Sequence, residues 1–516
     1  MEMNLDKQKE TKEELKEVKL RFYQKQTSGC YVKARHVLVG MGFLVIFNIY
    51  VLRTILSVAI VAMVNSTEET GNLSDTCPDR GQVIENQTNS NGIFDWDSAN
   101  QGLLLGCYYY GYVISNVPGA WLAKRYGFKL VIGVSMLVSA ILTLATPLAA
   151  YASFELLVAL QIFLGLIQGV ASPSMQGAWS FWSPPKEKST LSSAAMSGSS
   201  FGACVTLPIG IVAELLGWEA VFYVTGGYVL LWTFVWFVLI YNRPNDHPRI
   251  SKEERLYINE SIGLEREKEE KTAKIRTPWR GMFTSVPLWA INIAHFCGNW
   301  GNYTLLTMLP TFLSTILKFD LSLIGGLTAL PFLLQWIFTL ISGYLTDFFI
   351  RRLILSTIAV RKLNTIIGLG VPGICIILAG YVGCNAAAVI AFLALSVAFN
   401  AFATPGCKLN VLDIAPKYCG ITYAISNAIA NTTGFLAPQV VGLILLNGNN
   451  LGQWQLVFWI SSAFYFLGIL IYLPFASAKE QSWAKGEIVR TKDGVEVEVL
   501  MEDLPSVSAQ QNRMQL

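Results

Sequence analysis

Charge is what this chain has least of: Asp, Glu, Lys and Arg supply 14% of its 516 residues, against 53% hydrophobic residues. A soluble domain of this size needs far more charge to cover its surface, so the scarcity excludes one. No Gly-x-x-x-x-Gly-Lys-Ser/Thr loop occurs, which removes ATP as the direct fuel. The nine cysteines include no CxxC pair, and no His/Cys cluster has metal-ligand spacing, which removes a structural zinc site. No Ser-His-Asp arrangement is suggested either, and nothing in the chain calls for an enzyme. Most cysteines fall in apolar stretches. Cys77 and Cys384 alone fall in segments that the charge pattern assigns to the outer side, either bridged or, more simply, as two separate thiols.

What the chain has instead is long apolar runs. Crossing a hydrocarbon core of about 30 Å takes about 20 apolar residues as a helix. Such segments lie near 38–64, 99–122, 129–150, 155–177, 191–214 and 219–241, then 285–313, 322–346, 363–383, 386–408, 420–446 and 455–476. The expected fold is an all-α membrane protein of twelve transmembrane helices in two six-helix halves. Residues 1–37 form an N-terminal segment, 38–241 and 285–476 the two bundles, 242–284 a linker and 477–516 a tail. The first apolar run is too long for a cleaved signal peptide and is expected to remain as an anchor.

Lys and Arg set the orientation. They crowd residues 1–37, Lys124–Lys129, Lys186–Lys188, 243–280 and Arg351–Lys362. The alternate connections are nearly bare of them; 65–98 carries Arg80 alone against seven acids. Both termini are therefore expected in the cytosol. Sequons at Asn65, Asn72 and Asn86 fall in that outer loop, as glycosylation requires. Asn302 and Asn431 also head sequons, but inside spans, where no glycan forms. The halves echo each other: Leu122–Lys129 follows the second span, and Gly343–Phe348 with Arg351 and Arg352 follows the eighth. Repeated halves fit carriers that rock about a site between them.

Ionisable groups at mid-bilayer are costly, about 2.5–3.5 kcal/mol on insertion scales. Arg53 lies near the centre of span 1, too deep to reach either surface comfortably. Its guanidinium offers a fork of donors to a carboxylate or phosphate. The alternative is a structural pair with a buried acid, and no mid-span Asp or Glu is available for it. Span 4 carries Gln161, Gln168 and Gln176, the last two each within about 60° of Gln161 on an unbroken helix. They line a wet cavity or bond between helices. Span 7 places His295, Asn299, Asn302 and Tyr303 at helical spacing. His295 is a proton carrier or, more plainly, a hydrogen-bonding residue. Lys408, near the inner end of span 10, is expected to reach the cytosolic headgroups.

Several strings then resemble the anion:cation symporter family of the major facilitator superfamily, which includes sialin, the vesicular glutamate transporters and the type I sodium/phosphate transporters. They are Trp179–Ser189, Gly217–Tyr223, His247–Ser251, Ser356-Thr357 with Val360–Lys362, Leu412–Tyr418, and Trp96-Asp97 through Gln101-Gly102, Tyr110–Tyr112 and Pro118-Gly119. The resemblance runs from about residue 35 to 484 in register. It implies spans 1, 4, 7 and 10 around a central cavity, with Arg53 as anion anchor and Tyr112, Tyr303 and Asn427 at further cavity positions. His295 agrees with the sialin-type pattern. Asp413 belongs to a cytosolic signature, read with Asp347 and Arg351 as gating or folding residues.

This chain also departs from the family. Gln161 stands where the family usually has Arg, Gln168 where it has the proton-loading Glu, and Gln176 where two branches have His. Gly298 and Val411 replace another arginine and a histidine. These losses argue against glutamate as cargo and against the usual proton coupling.

The expected function is secondary active transport of small organic anions or phosphate by alternating access. Arg53 is the anchor; Tyr112, Gln161, Gln168, Gln176, His295, Asn299, Tyr303 and Asn427 are the further contacts. A receptor or scaffold without transport, and an uncoupled anion channel, are the alternatives. No cofactor is expected, only Na+ or H+ as coupling ion. The partners are the solute and the bilayer, without nucleic acid, for a protein working as a monomer. Plasma membrane and lysosomal or vesicular membrane both stay open as locations; Glu496–Met501 resembles an acidic dileucine-type sorting signal. The stretch 252–276 is expected to be a solvated helix between the halves.

Overall fold

A computed structural model of the chain describes residues 32–64, 93–96, 98–262, 277–317, 319, 321–383, 385–445, 450–484, 486–490 and 496–500. The sequons at Asn65, Asn72 and Asn86, together with Cys77, Cys384 and Met501, lie outside these residues. In the first half, span 1 is Ala34–Met63, span 2 Ser98–Tyr126, span 3 Phe128–Ala152 and span 6 Trp218–Leu239. Span 4 is divided into Phe154–Gln168 and Ala171–Trp182, and span 5 into Lys188–Met196 and Gly198–Leu216. In the second half, span 7 is Val286–Thr315, span 8 Leu321–Arg351 and span 12 Leu451–Phe475. Span 9 runs Thr357–Thr365, through a π turn at Ile366–Gly370, into Val371–Tyr381. Span 10 runs from Ala386–Asn400 through 3-10 turns to Val411–Ile414, and span 11 is Cys419–Asn431 with Thr433–Leu445.

Nine helices among the described residues are long and apolar enough to cross a membrane. Spans 2 and 7 are equally long but fall short in hydropathy, and the reason is their polar faces; span 5 is apolar over its second segment but carries a polar face along its first. Tyr108, Tyr112, Ser115 and Asn116 of span 2 are buried, as are Ser192, Ser193, Ser197 and Ser200 of span 5 and Asn292, His295 and Asn299 of span 7. A helix carrying such groups must turn them toward other helices rather than lipid.

Two breaks in the spans shape the centre of the protein. Pro173 has no N–H to offer the carbonyl of Gly169, and span 4 interrupts between Gln168 and Ala171. In span 10, Pro405 likewise removes a donor, and the helix passes through tight turns at Ala401–Ala403 and Lys408–Asn410 before resuming. The chain turns between spans 2 and 3 at Gly127, whose φ of +86° suits glycine.

The linker contributes the short helices Lys252–Ile262 and Trp279–Thr284. The first is not wholly solvated, contrary to the expectation for 252–276: Glu254 and Ile258 are buried. The Glu254 carboxylate accepts from the backbone N–H of Ala34 at 2.9 Å and of Arg35 at 3.1 Å, capping the start of span 1. Residues 263–276 lie outside the described residues. Beyond span 12 the tail pairs Gly486–Arg490 with Glu496–Leu500 as an antiparallel hairpin.

Candidate functional site

Arg53 lies inside a box of tyrosines. Its guanidinium carbon is 4.3 Å from the ring centre of Tyr109, 4.9 Å from those of Tyr50 and Tyr303, and 5.7 Å from that of Tyr108. Such contacts suit a cation that must stay charged away from water. Arg53 Nη2 donates to Tyr109 Oη at 2.5 Å, while Nε is buried with no partner. Among the described residues no carboxylate forms an ion pair with it. Tyr50, Arg53 and Ser57 share one helical face, and Ser57 is exposed. That face therefore leads from the box toward the far end of span 1.

A cavity between the halves backs onto this box. Tyr50 and Tyr303 line it, so Arg53 stands directly behind two wall residues rather than on the wall. Asn299, Asn302, Gln335, Ser200 and Lys408 line it as well. Gln335 ties the halves together, donating to Asn302 Oδ1 at 3.2 Å and accepting from Ser200 Oγ at 2.9 Å.

Lys408 is where the structure departs most from expectation. Span 10 does not end there but continues to Ile414, more than a helical turn further. The amine therefore points to the protein interior and donates to Asn299 Oδ1 at 3.3 Å, instead of reaching headgroups. No periodicity could have shown this, because the unwound stretch around Pro405 hides the end of the span.

Other anticipated residues gather in a buried network beside the cavity. Tyr112 Oη donates to Ser172 Oγ at 3.1 Å. Asn427 Nδ2 donates to Tyr112 Oη at 3.3 Å and to Asn116 Oδ1 at 2.7 Å, crossing from span 11 to span 2. Tyr303 Oη donates to Asn431 Oδ1 at 2.7 Å, and Asn431 Nδ2 donates back to Asn427 Oδ1 at 2.9 Å. His295 Nδ1 and Ser426 Oγ are hydrogen-bonded at 3.0 Å, the tautomer deciding which donates.

The three glutamines do not form one stripe. The break in span 4 parts Gln176 from Gln161 and Gln168. Gln168 Oε1 accepts from Tyr108 Oη at 2.7 Å on span 2, whereas Gln176 Oε1 accepts from Ser192 Oγ at 3.1 Å on span 5. Each leaves its amide nitrogen buried without a partner, and Gln161 is buried too.

At the face where span 1 begins, charged groups of both halves interlock. Asp413 receives Arg361 Nε at 2.8 Å and Lys188 Nζ at 3.2 Å. Asp347 accepts from the N–H groups of Ser189 at 3.1 Å and Thr190 at 2.6 Å, at the positive end of the first segment of span 5. Arg351 Nε donates to the backbone oxygen of Asp347 at 3.2 Å and, among the described residues, forms no ion pair. Lys188 and Arg361, read in the sequence as members of basic turns and of the family-like strings but given no role, are cations of this cluster.

Comparison with known proteins fits this architecture. The Major Facilitator Superfamily profile matches residues 40–361. Human sialin is 37% identical over 455 residues, covering 87% of this chain and 91% of sialin. Human vesicular glutamate transporter 2 is 36% identical over 452 residues, 87% of this chain and 75% of that protein. Among solved structures, the proton:xylose symporter XylE bound to 6-bromo-6-deoxy-D-glucose superposes with a TM-score of 0.63 at 16% identity, over 87% of this chain and 96% of XylE. The E. coli fucose:proton symporter FucP gives 0.51 at 15% identity, over 84% of this chain and 98% of FucP. At such identities these two structures speak for the fold alone.

Proposed function

The chain belongs to the major facilitator superfamily, in the branch that holds sialin and the vesicular glutamate transporters, and on that footing we propose a secondary active carrier of small anions. The observation that carries the proposal is the Arg53 guanidinium, enclosed by four aromatic rings with an unpartnered Nε and, among the described residues, no ion-paired acid. A buried cation without a counter-ion is costly, and a solute anion is the partner the site lacks. The tyrosines hold the charge while the site is empty; a carboxylate or phosphate reaching past Tyr50 and Tyr303 takes over as its partner.

Alternating access then means rocking the halves about this point. The charged cluster around Asp413 and Asp347 keeps one face shut, and the exposed side of span 1 at Ser57 supports access from the other. Asn299, Tyr303 and the Tyr112–Asn427 network orient the solute or transmit the movement between halves. Span 4 offers amides, which cannot titrate, so sodium drive or exchange fits better than proton drive through Gln168. The protein is a multi-pass membrane protein; its proposed setting is a lysosomal, vesicular or plasma membrane, with both termini cytosolic.

Purified protein reconstituted in vesicles tests this directly. Wild type should accumulate a labelled anion, and Arg53→Ala should abolish uptake while its melting temperature shows a folded protein. Undiminished uptake by a folded Arg53→Ala protein would overturn the anchor.

A further inference from the structure

Anchoring one anionic group at Arg53 leaves Lys408 without a role. It lies where span 10 unwinds after Pro405, it lines the central cavity, and its amine bonds a neutral amide, Asn299 Oδ1, at 3.3 Å. Among the described residues no carboxylate forms an ion pair with it; Asp413, five residues on, is held by Arg361 and Lys188 instead. Arg53 lies across Tyr50 and Tyr303, 4.9 Å from each ring centre. One cation thus comes from span 1 of the first half and the other from span 10 of the second. Span 7 touches both, through Tyr303 and Asn299. Those two positions are one helical turn apart, about 5.4 Å along the axis. In a poorly hydrated cavity two like charges repel, and each still needs a counter-charge. A monoanion satisfies only one of them.

We propose that the carried solute is a dianion with two separated acidic groups, one taken by Arg53 and the other by Lys408, in the class of short-chain dicarboxylates. This rests on the anion-carrier function and narrows it. Inorganic phosphate carries its charge on a single centre, whereas a dicarboxylate presents two acidic groups to two cations contacted by span 7 at positions one turn apart. The Gln335–Asn302 pair and Ser200 line the same cavity and give it neutral, hydrogen-bonding groups for the rest of the solute. Because the two cations belong to different halves, a dianion bridging them adds a charged link to the Ser200–Gln335 bond that already joins the halves here.

The test uses the full chain in vesicles with four probes: succinate, glutarate, the monocarboxylate butyrate, and inorganic phosphate. Wild type should favour succinate or glutarate over butyrate and phosphate. Lys408→Met should weaken dicarboxylate affinity roughly tenfold to a hundredfold, as expected for loss of one charged contact, and so erase the preference for succinate over butyrate. Lys408→Arg should keep the preference. Thermal stabilisation of detergent-solubilised wild type by succinate but not butyrate gives a second readout that needs no variant. Equal treatment of succinate and butyrate by wild type would overturn the proposal, as would a Lys408→Met protein with an unchanged preference. If butyrate uptake depends on Arg53 while Lys408→Met changes nothing, the carrier stands and the dianion falls. If Arg53→Ala leaves uptake of every probe intact, the carrier itself falls, and the dianion with it.

Discussion

Arg361 grips Asp413 with two nitrogens, Nε to Oδ2 at 2.8 Å and Nη2 to Oδ1 at 3.5 Å, while Lys188 of the opposite half reaches the same carboxylate at 3.2 Å. Arg361 also donates to Ser189 Oγ at 3.2 Å, so one guanidinium links spans 5, 9 and 10. A carboxylate shared by cations of both halves is a latch: it holds only while the halves meet on this face.

Removing the charge from that carboxylate leaves two cations facing each other. Asp413→Asn is expected to cost about 3–5 kcal/mol, as for the breaking of a buried pair on one side. Arg361 is almost wholly buried and Asp413 only 11% exposed, so solvent screening is slight. Thermal unfolding in detergent would show a clear fall in melting temperature; an unchanged value would mean that the latch is not closed in the stable state.

Arg53→Lys keeps the charge but loses the planar fork and its stacking on four rings. We expect anion affinity to fall at least roughly tenfold, from the loss of one charge-assisted hydrogen bond, with expression and melting close to wild type. Uptake measured against anion concentration decides it: full retention by the lysine variant would show that a point charge suffices.

The coupling prediction concerns Gln168. Its Oε1 accepts from Tyr108 Oη at 2.7 Å, so a glutamate there would meet a ready donor. Wild-type uptake should ignore an imposed proton gradient, whereas Gln168→Glu should acquire a dependence on it, because a carboxyl can load and release a proton and an amide cannot. Proton-driven uptake by wild type would place the coupling group elsewhere, with His295 of span 7 and Lys408 of span 10 to try next.

Orientation has a simple biochemical check. If residues 65–98 face outward or into an organelle lumen, Asn65, Asn72 and Asn86 are open to glycosylation. Enzymatic deglycosylation should shift the mobility of the wild type and leave the triple Asn→Gln variant unmoved. No shift in the wild type would remove the support these sequons lend to cytosolic termini.

Much of this molecule could be read without coordinates because a bilayer permits few solutions. Apolar runs of the right length, separated by basic turns, can hardly do other than cross and recross. The isolation of Arg53 was legible for the same reason: with no mid-span acid in the chain, no fold could supply one. Relations between helices were not legible. Whether Gln168 and Gln176 share a face depends on a break that Pro173 introduces, and Lys408 became a cavity residue only because span 10 unwinds and then continues to Ile414. Local pattern fixes what each helix must hide. It takes packing to decide which polar groups meet, since hydrogen bonds such as Asn427 to Tyr112, 315 residues apart, have no signature along the chain.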